Sequence, residues 1–234
     1  MPAFLTKTRL IVLTFIGATT LTVACSPAIS NQTQASNTNA TEASNKQDMK
    51  QDGNMMQHGS GMQDDMSMDI GPADADYDLR FIDSMVMHHQ GAVNMAEEAL
   101  KKSQHPEIKK LAQDIIAAQK QEIEQMKQWR KTWYPNADQT PMAWYAQMGH
   151  MMAMSEDIEQ SMMMNMDLGS ADADFDLRFI DAMIPHHEGA LVMAEDALNK
   201  TKRPEIKKLS QDILASQQQE IEQMKQWRKA WYDQ

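Results

Sequence analysis

The chain has 234 residues, with 22 Lys and Arg against 33 Asp and Glu, and a net charge of −11 at pH 7. This charge argues against nucleic-acid binding, because neutralising phosphates needs clustered Lys and Arg. The single cysteine excludes a disulfide framework within the chain and a metal site of four cysteines. Methionine is unusually frequent: the chain has 23, whereas leucine, alanine and glycine lead the composition of ordinary globular proteins.

Residues 1–24 have the order of a secretory signal peptide, with Lys7 and Arg9 followed by an apolar run that ends at Val23. The run is too short for a permanent membrane-spanning helix. Cys25 follows in a sequence that resembles a bacterial lipobox, with Thr22 where leucine is usual. We expect lipidation at Cys25 and a periplasmic or cell-envelope protein that meets the membrane only through this anchor. Simple secretion, with an incidental cysteine, is the alternative.

The remainder divides into four segments. Residues 25–72 hold the anchor cysteine, a polar tether and a Met-rich arm, and residues 135–170 form a second Met-rich segment. Residues 73–134 and 171–232 are an internal duplication, with 45 of 62 positions identical and no gap. We assign the repeats to 73–134 and 171–234.

Each repeat predicts a helical hairpin. The first helix is expected from about Asp74 to Lys102, and the second from Pro106 to about Tyr134, because proline is favoured in a first helical turn. In the second repeat, Pro185 inside the first helix predicts a kink. Two amphipathic hairpins can cover each other's apolar faces, so the sequence predicts an all-α, four-helix bundle.

Helical periodicity places polar residues inside this bundle. On the first helix, the inward arc holds Asp78, Phe81, Ile82, Met85, His88, His89, Ala92, Met95, Ala96, Ala99 and Leu100, while Asp83 points outward. On the second helix, it holds Leu111, Ile115, Ala118, Gln119, Glu122, Met126, Trp129 and Trp133. The second repeat adds Asp176, Met183, His186, His187, Met193, Gln217, Glu220 and Met224.

We therefore expect four histidines, four carboxylates and six methionines to converge in one core. Such burial is costly unless the polar groups pair or bind something. Met85 lies three and four residues before His88 and His89, so each imidazole can meet its thioether across one turn. This ligand set suits copper, especially Cu(I), better than zinc, magnesium or calcium. A core of satisfied histidines with methionine as filler is the alternative.

Fifteen methionines lie in the two arms, six within 49–68 and nine within 142–166. In these polar segments they have no core to fill, so soft-metal capture is favoured over compositional drift or a simple apolar helix. The second arm is expected to be partly helical from Met148 to Met164. The candidate arm ligands are His58, His150, Met151, Met152 and Met154. Proton competition near the usual imidazole pKa of about 6.5 predicts that core binding weakens below about pH 6.

The pattern D-x-x-F-I-D-x-M-x-x-H-H-x-G-A-x-x-M-A, followed by Q-x-x-E-I-x-x-M-x-x-W, occurs twice. It resembles a bacterial family known as domain of unknown function 305, which implies a ferritin-like helical fold. Family positions map onto Asp78, Phe81, Met85, His88, His89, Met95, Gln119, Glu122 and Met126, and onto Asp176, Phe179, Met183, His186, His187, Met193, Gln217, Glu220 and Met224. The arms and the envelope address further resemble a cyanobacterial periplasmic copper-binding protein, which implies Cu(I) or Cu(II) binding and copper tolerance.

The sequence thus favours an envelope protein that sequesters copper or hands it over, with a copper efflux system as a partner, and not an enzyme. One alternative is a ferritin-like di-metal oxidase, although the Glu-x-x-His pair typical of di-iron bundles is missing. The other is a metal-free interaction module whose inward polar groups form a hydrogen-bonded network.

Overall fold

The computed structural model describes residues 68–233. Within them the chain forms helix α1 (Tyr77–Lys102), helix α2 (Pro106–Trp133), strands β1 (Met142–Tyr145) and β2 (His150–Ala153), helix α3 (Glu156–Met163), helix α4 (Phe175–Lys200) and helix α5 (Pro204–Tyr232). The predicted all-α bundle of two hairpins is confirmed. None of the helices in this range has the length and apolarity that a membrane crossing requires.

The helix ends follow from local chemistry. Pro106 occupies the first turn of α2, as predicted, and Pro204 occupies the equivalent place in α5. Helix α1 begins at Tyr77, a few residues later than expected, and ends with Lys101 and Lys102, which suit the negative end of the helix dipole. Helix α4 continues through Pro185 without a break.

Helices α1 and α4 form the centre of the bundle: each packs on its hairpin partner and they pack on each other. Two apolar clusters result, and both combine the repeats. One cluster holds the C-terminal half of α1, the N-terminal half of α2, the N-terminal half of α4 and the C-terminal half of α5. The other cluster holds the remaining half of each of these helices. Neither hairpin therefore completes a core alone.

Two buried or half-buried arginines fix the chain where it enters the central helices. Arg80 is 1% exposed and donates from Nε to the Ile70 carbonyl (2.7 Å) and from Nη2 to the Pro72 carbonyl (2.8 Å). Arg178 makes the same bonds to Leu168 and Ser170 in the second repeat. Neither role follows from the local sequence pattern.

The expected helix over Met148–Met164 is wrong in its first half. Residues 142–153 form an antiparallel β-hairpin that pairs Met142 with Ala153 and Tyr145 with His150. Gly149 adopts φ +67° in the turn, a conformation that favours glycine, and Trp144 and Tyr145 are residues that strands favour. Helix α3 starts only at Glu156, where the Ser155 hydroxyl accepts from the Ile158 amide. Both β1 and α3 pack against α1.

Two positions on the helical faces were also predicted wrongly. Ala118, predicted inward, is exposed. Asp83, predicted outward, is 3% exposed because the β-hairpin covers it. Its carboxylate pairs with Arg130 and accepts from the Met142 amide (2.9 Å).

Candidate metal centre

Four histidines lie at the middle of the bundle, two on each central helix. His88 and His89 on α1 and His186 and His187 on α4 are all between 0 and 1% exposed. The rings of His88 and His186 face each other with centroids 3.9 Å apart and planes at 50°. The duplicated motif thus brings the two His pairs together, one from each repeat.

The outer histidine of each pair is oriented by a glutamate on the partner helix. His89 Nε2 is 2.7 Å from Glu122 Oε2, and His187 Nε2 is 2.6 Å from Glu220 Oε2. An ionised carboxylate can only accept, so each ring donates from Nε2, and in a neutral imidazole this leaves the lone pair on Nδ1. A carboxylate that fixes the tautomer in this way is the usual companion of a metal-ligating histidine.

Five ring nitrogens of the four histidines have no hydrogen-bond partner among residues 68–233: Nδ1 and Nε2 of His88, and Nδ1 of His89, His186 and His187. Buried polar atoms in native proteins are almost always paired. Leaving five unpaired in one core is costly unless a ligand satisfies them.

Burial also controls the protonation of the central pair. Burial, followed by the neighbouring His187, lowers the pKa of His186 from 6.5 to about 3. Burial, followed by the nearby His186, lowers the pKa of His88 well below 6.5. The expectation that protons displace core ligands just below pH 6 is therefore wrong for these two rings, because the desolvated site disfavours imidazolium.

The six predicted core methionines are all fully buried. Met85, Met126 and Met193 lie in one apolar cluster, and Met183, Met224 and Met95 lie in the other. Each set takes two methionines from one repeat and the third from the other. The thioethers of both repeats thus line the same bundle interior as the histidines.

The four inward carboxylates do not converge as expected. Only Glu122 and Glu220 contact the histidines. Asp176 Oδ2 accepts from the Gln104 and His105 amides (3.1 and 3.2 Å) in the first hairpin turn, and Asp78 pairs with Arg203 (3.3 Å). Both aspartates sit in the first turns of α1 and α4 and bind backbone or guanidinium at the bundle ends. Within residues 68–233, no group of three His, Cys, Asp or Glu side chains is placed to hold a metal ion.

Some of the candidate arm ligands lie within the described residues and others lie outside them. His150 is exposed on β2 beside Met151 and Met152, apart from the four buried histidines, whereas Met154 is buried. Cys25, His58 and the arm methionines before Met68 lie outside the described residues.

Sequence reasoning missed the contact between the second arm and the central histidines. The turn at Met163 and Met164 lies against the bundle, and the Met163 carbonyl is 3.1 Å from His186 Nε2. The glycine of the H-H-x-G motif is the sequence feature that could have indicated this contact. The Met163–Met164 turn lies against Gly91 and Gly189, where a larger side chain would meet it.

The fold and the buried centre define a duplicated helical-hairpin bundle with histidine and methionine side chains at its heart. The chain belongs to the DUF305 family, described as a domain of unknown function, which matches residues 78–228. The predicted family is confirmed.

Solved structures of one protein, CopM, are similar to this chain. CopM in its Cu(II)-bound form is 44% identical with a TM-score of 0.53, covering 66% of this chain and 97% of that chain. The Cu(I)-bound form and an Ag-bound form obtained by co-crystallization are each 42% identical with TM-scores of 0.52, over 66% of this chain and 97% of that one.

Among curated proteins, the uncharacterized protein L153 of Acanthamoeba polyphaga mimivirus is 47% identical over 49 residues. The match spans 21% of this chain and about a third (32%) of that relative.

Proposed function

We propose that this protein binds copper as cargo in the cell envelope, holding Cu(I) between the histidines and methionines of the bundle core, and that it sequesters the ion or hands it on without catalysing a reaction. The main support is the set of five buried ring nitrogens that lack a partner within the described part of the chain. A neutral imidazole carries one N–H and one lone pair, so the four rings offer four lone pairs, which would be ligands in a metal-binding protein.

The chemistry of the core favours Cu(I) over harder ions. Thioethers and neutral imidazoles are soft to borderline donors and add no charge to the site. Low pKa values keep His88 and His186 unprotonated, so an incoming ion has no proton to displace from these rings. The similarity to a protein solved with Cu(I), Cu(II) and Ag supports the same class of cargo here.

The geometry does not favour the di-metal oxidase. Such sites need several carboxylates around the metals. Here Asp78 and Asp176 are engaged at the bundle ends, and each glutamate binds the Nε2 of its own histidine.

The proposed location rests on the sequence of residues 1–25. We expect Cys25→Ala to release the protein from the membrane fraction without changing its copper stoichiometry. A variant that stays membrane-bound would show that the anchor assignment is wrong.

The function is tested by anaerobic competition between the full chain and a chromophoric Cu(I) chelator. We expect the wild type to retain several equivalents of Cu(I) and to prefer it to Zn(II). Replacing His88, His89, His186 and His187 by Leu, which fills much of the same space, should abolish the tightest sites while circular dichroism reports retained helix.

The matched control is His150→Leu, which changes an exposed histidine outside the bundle core. It should leave the tightest sites intact. If the fourfold variant keeps these sites, the core histidines are structural and the proposal fails.

A further inference from the structure

A small space at Gly189 on α4 lies between side chains from three separate segments. The Cβ that this glycine lacks would be 3.1 Å from His88 Nε2, 3.2 Å from Met68 Cε and 3.4 Å from Met164 Sδ. A ring nitrogen and two thioether side chains therefore converge on one point in the fold. Neither methionine belongs to the core ligands predicted from the sequence.

The duplicated position is arranged differently. The Cβ that Gly91 lacks would be 1.8 Å from the Met163 carbonyl oxygen, so backbone fills that space. The same carbonyl is 3.1 Å from His186 Nε2 and accepts a hydrogen bond from it. His88 Nε2, in contrast, is fully buried and has no partner among residues 68–233. The repeats are alike in sequence, yet only one central histidine presents a free Nε2 beside sulfur.

The backbone at Met164 is held in an unusual conformation. This residue ends helix α3 with φ 44° and ψ 34°, the left-handed region that non-glycine residues seldom occupy. Such conformations concentrate at functional sites, where the surrounding structure enforces them. Here the turn puts the Met163 carbonyl at one glycine and the Met164 sulfur at the other.

We propose that His88 Nε2, Met164 Sδ and the Met68 thioether form an acceptor site for one soft monovalent metal ion, through which cargo passes from the Met-rich arms to the buried histidines. Met68 is the last methionine of the first arm and Met164 belongs to the second, so both arms reach this point. One imidazole and two thioethers are a donor set that suits Cu(I) or Ag(I). This inference rests on the proposed function.

The test uses Ag(I) as the probe and the full chain carrying Cys25→Ala, which removes a competing thiol. With methionine methyl groups labelled with ¹³C, the Met164 and Met68 resonances, assigned from the Leu variants, should shift within the first equivalents of Ag(I). Met164→Leu, which preserves volume, should lower the number of tightly bound Ag(I) ions by one. Met87→Leu, which changes a methionine of α1 outside both arms and outside the ligand set, is the matched control and should leave the number of bound Ag(I) ions unchanged.

Gly189→Ala provides a second variant that retains all three ligands. Its methyl carbon would occupy the point on which they converge, so the same single Ag(I) should be lost. If wild type binds Ag(I) but the Met164 methyl resonance stays unshifted and Met164→Leu matches Met87→Leu, the acceptor site is overturned while the core function stands. If wild type binds no Ag(I) and no Cu(I), both proposals fall.

Discussion

The paired central histidines are the residues whose chemistry the fold changes most. His88 and His186 are in mutual contact and have lost their water, so the bundle interior disfavours charge on either ring. Their pKa values are consequently depressed, for His186 to about 3. The neutral rings keep lone pairs available across the physiological pH range.

This depression predicts how the stability of the metal-free protein depends on pH. Below about pH 6.5 the unfolded chain binds protons at these positions and the folded chain does not, so the free energy of unfolding decreases with falling pH. For His186 the stabilisation is present above pH 6.5 and is lost progressively towards pH 3, at up to about 1.4 kcal/mol per pH unit. The depressed pKa of His88 acts in the same direction. Urea unfolding at pH 7.0, 5.5 and 4.5 measures it.

Other groups also titrate in this pH range, so variants are needed to separate the contribution of His88 and His186 to the pH dependence. Replacing both His88 and His186 by Leu should flatten the slope between pH 6.5 and 4.5, whereas His150→Leu should leave it unchanged. Parallel slopes for wild type and the double variant would contradict the assigned pKa values.

The β-hairpin makes the two repeats unequal at the level of elements. In the first repeat it covers Asp83, whose carboxylate is 3% exposed and pairs with Arg130. The equivalent pair in the second repeat, Asp181 with Arg228 at 3.1 Å, is open to solvent, with Asp181 45% exposed. The same pair of residue types thus forms a largely buried ion pair in one repeat and an exposed ion pair in the other.

We expect these pairs to contribute very differently to stability. Asp83→Asn leaves Arg130 without its charge partner in a part-buried site and should lower the free energy of unfolding by about 1–3 kcal/mol. Asp181→Asn should change it by less than about 1 kcal/mol, because exposed pairs contribute little. Thermal and urea unfolding of the two variants decide this, and equal effects would show that the hairpin does not protect Asp83.

The same contrast shows what the sequence could predict. Hydrophobic periodicity correctly placed His88, His186 and the core methionines inside, because a helical face follows from local spacing. Asp83 could not be predicted, since its burial depends on residues 142–145, which are distant in sequence. The turn at Met163 and Met164 was missed for the same reason: its contact with His186 and its approach to Gly189 are set by packing between segments and not by a repeat of 3.6 residues.

At the scale of the whole molecule, each apolar cluster of the core combines residues from both repeats. Each apolar cluster joins residues such as Met95 of the first repeat to Met183 and Met224 of the second. His88 and His186 likewise meet across the two repeats. The apolar core of the bundle is therefore built jointly by both hairpins.

A fragment spanning residues 73–134 should therefore not fold as a monomer. Its exposed stripe would lack the apolar area supplied by the second repeat, so we expect either little helix or a dimer that imitates the full bundle. Circular dichroism measured at several protein concentrations, together with analytical ultracentrifugation, distinguishes an unfolded monomer from a helical dimer. A helical monomer at micromolar concentration would show that one hairpin suffices.

The contrast between buried and exposed thioethers determines what oxidants would do to this protein. Met148 (61%) and Met166 (54%) are exposed and Met152 (37%) is partly so, while the six core methionines are shielded. Sulfoxide formation turns an apolar thioether into a polar group and follows accessibility. After brief peroxide treatment, peptide mass spectrometry should find the added oxygen at Met148 and Met166 well before Met85 or Met183. Chemical damage would then accumulate first in the peripheral sulfurs, where repair enzymes can reach it, and the interior would be spared for as long as the bundle stays closed.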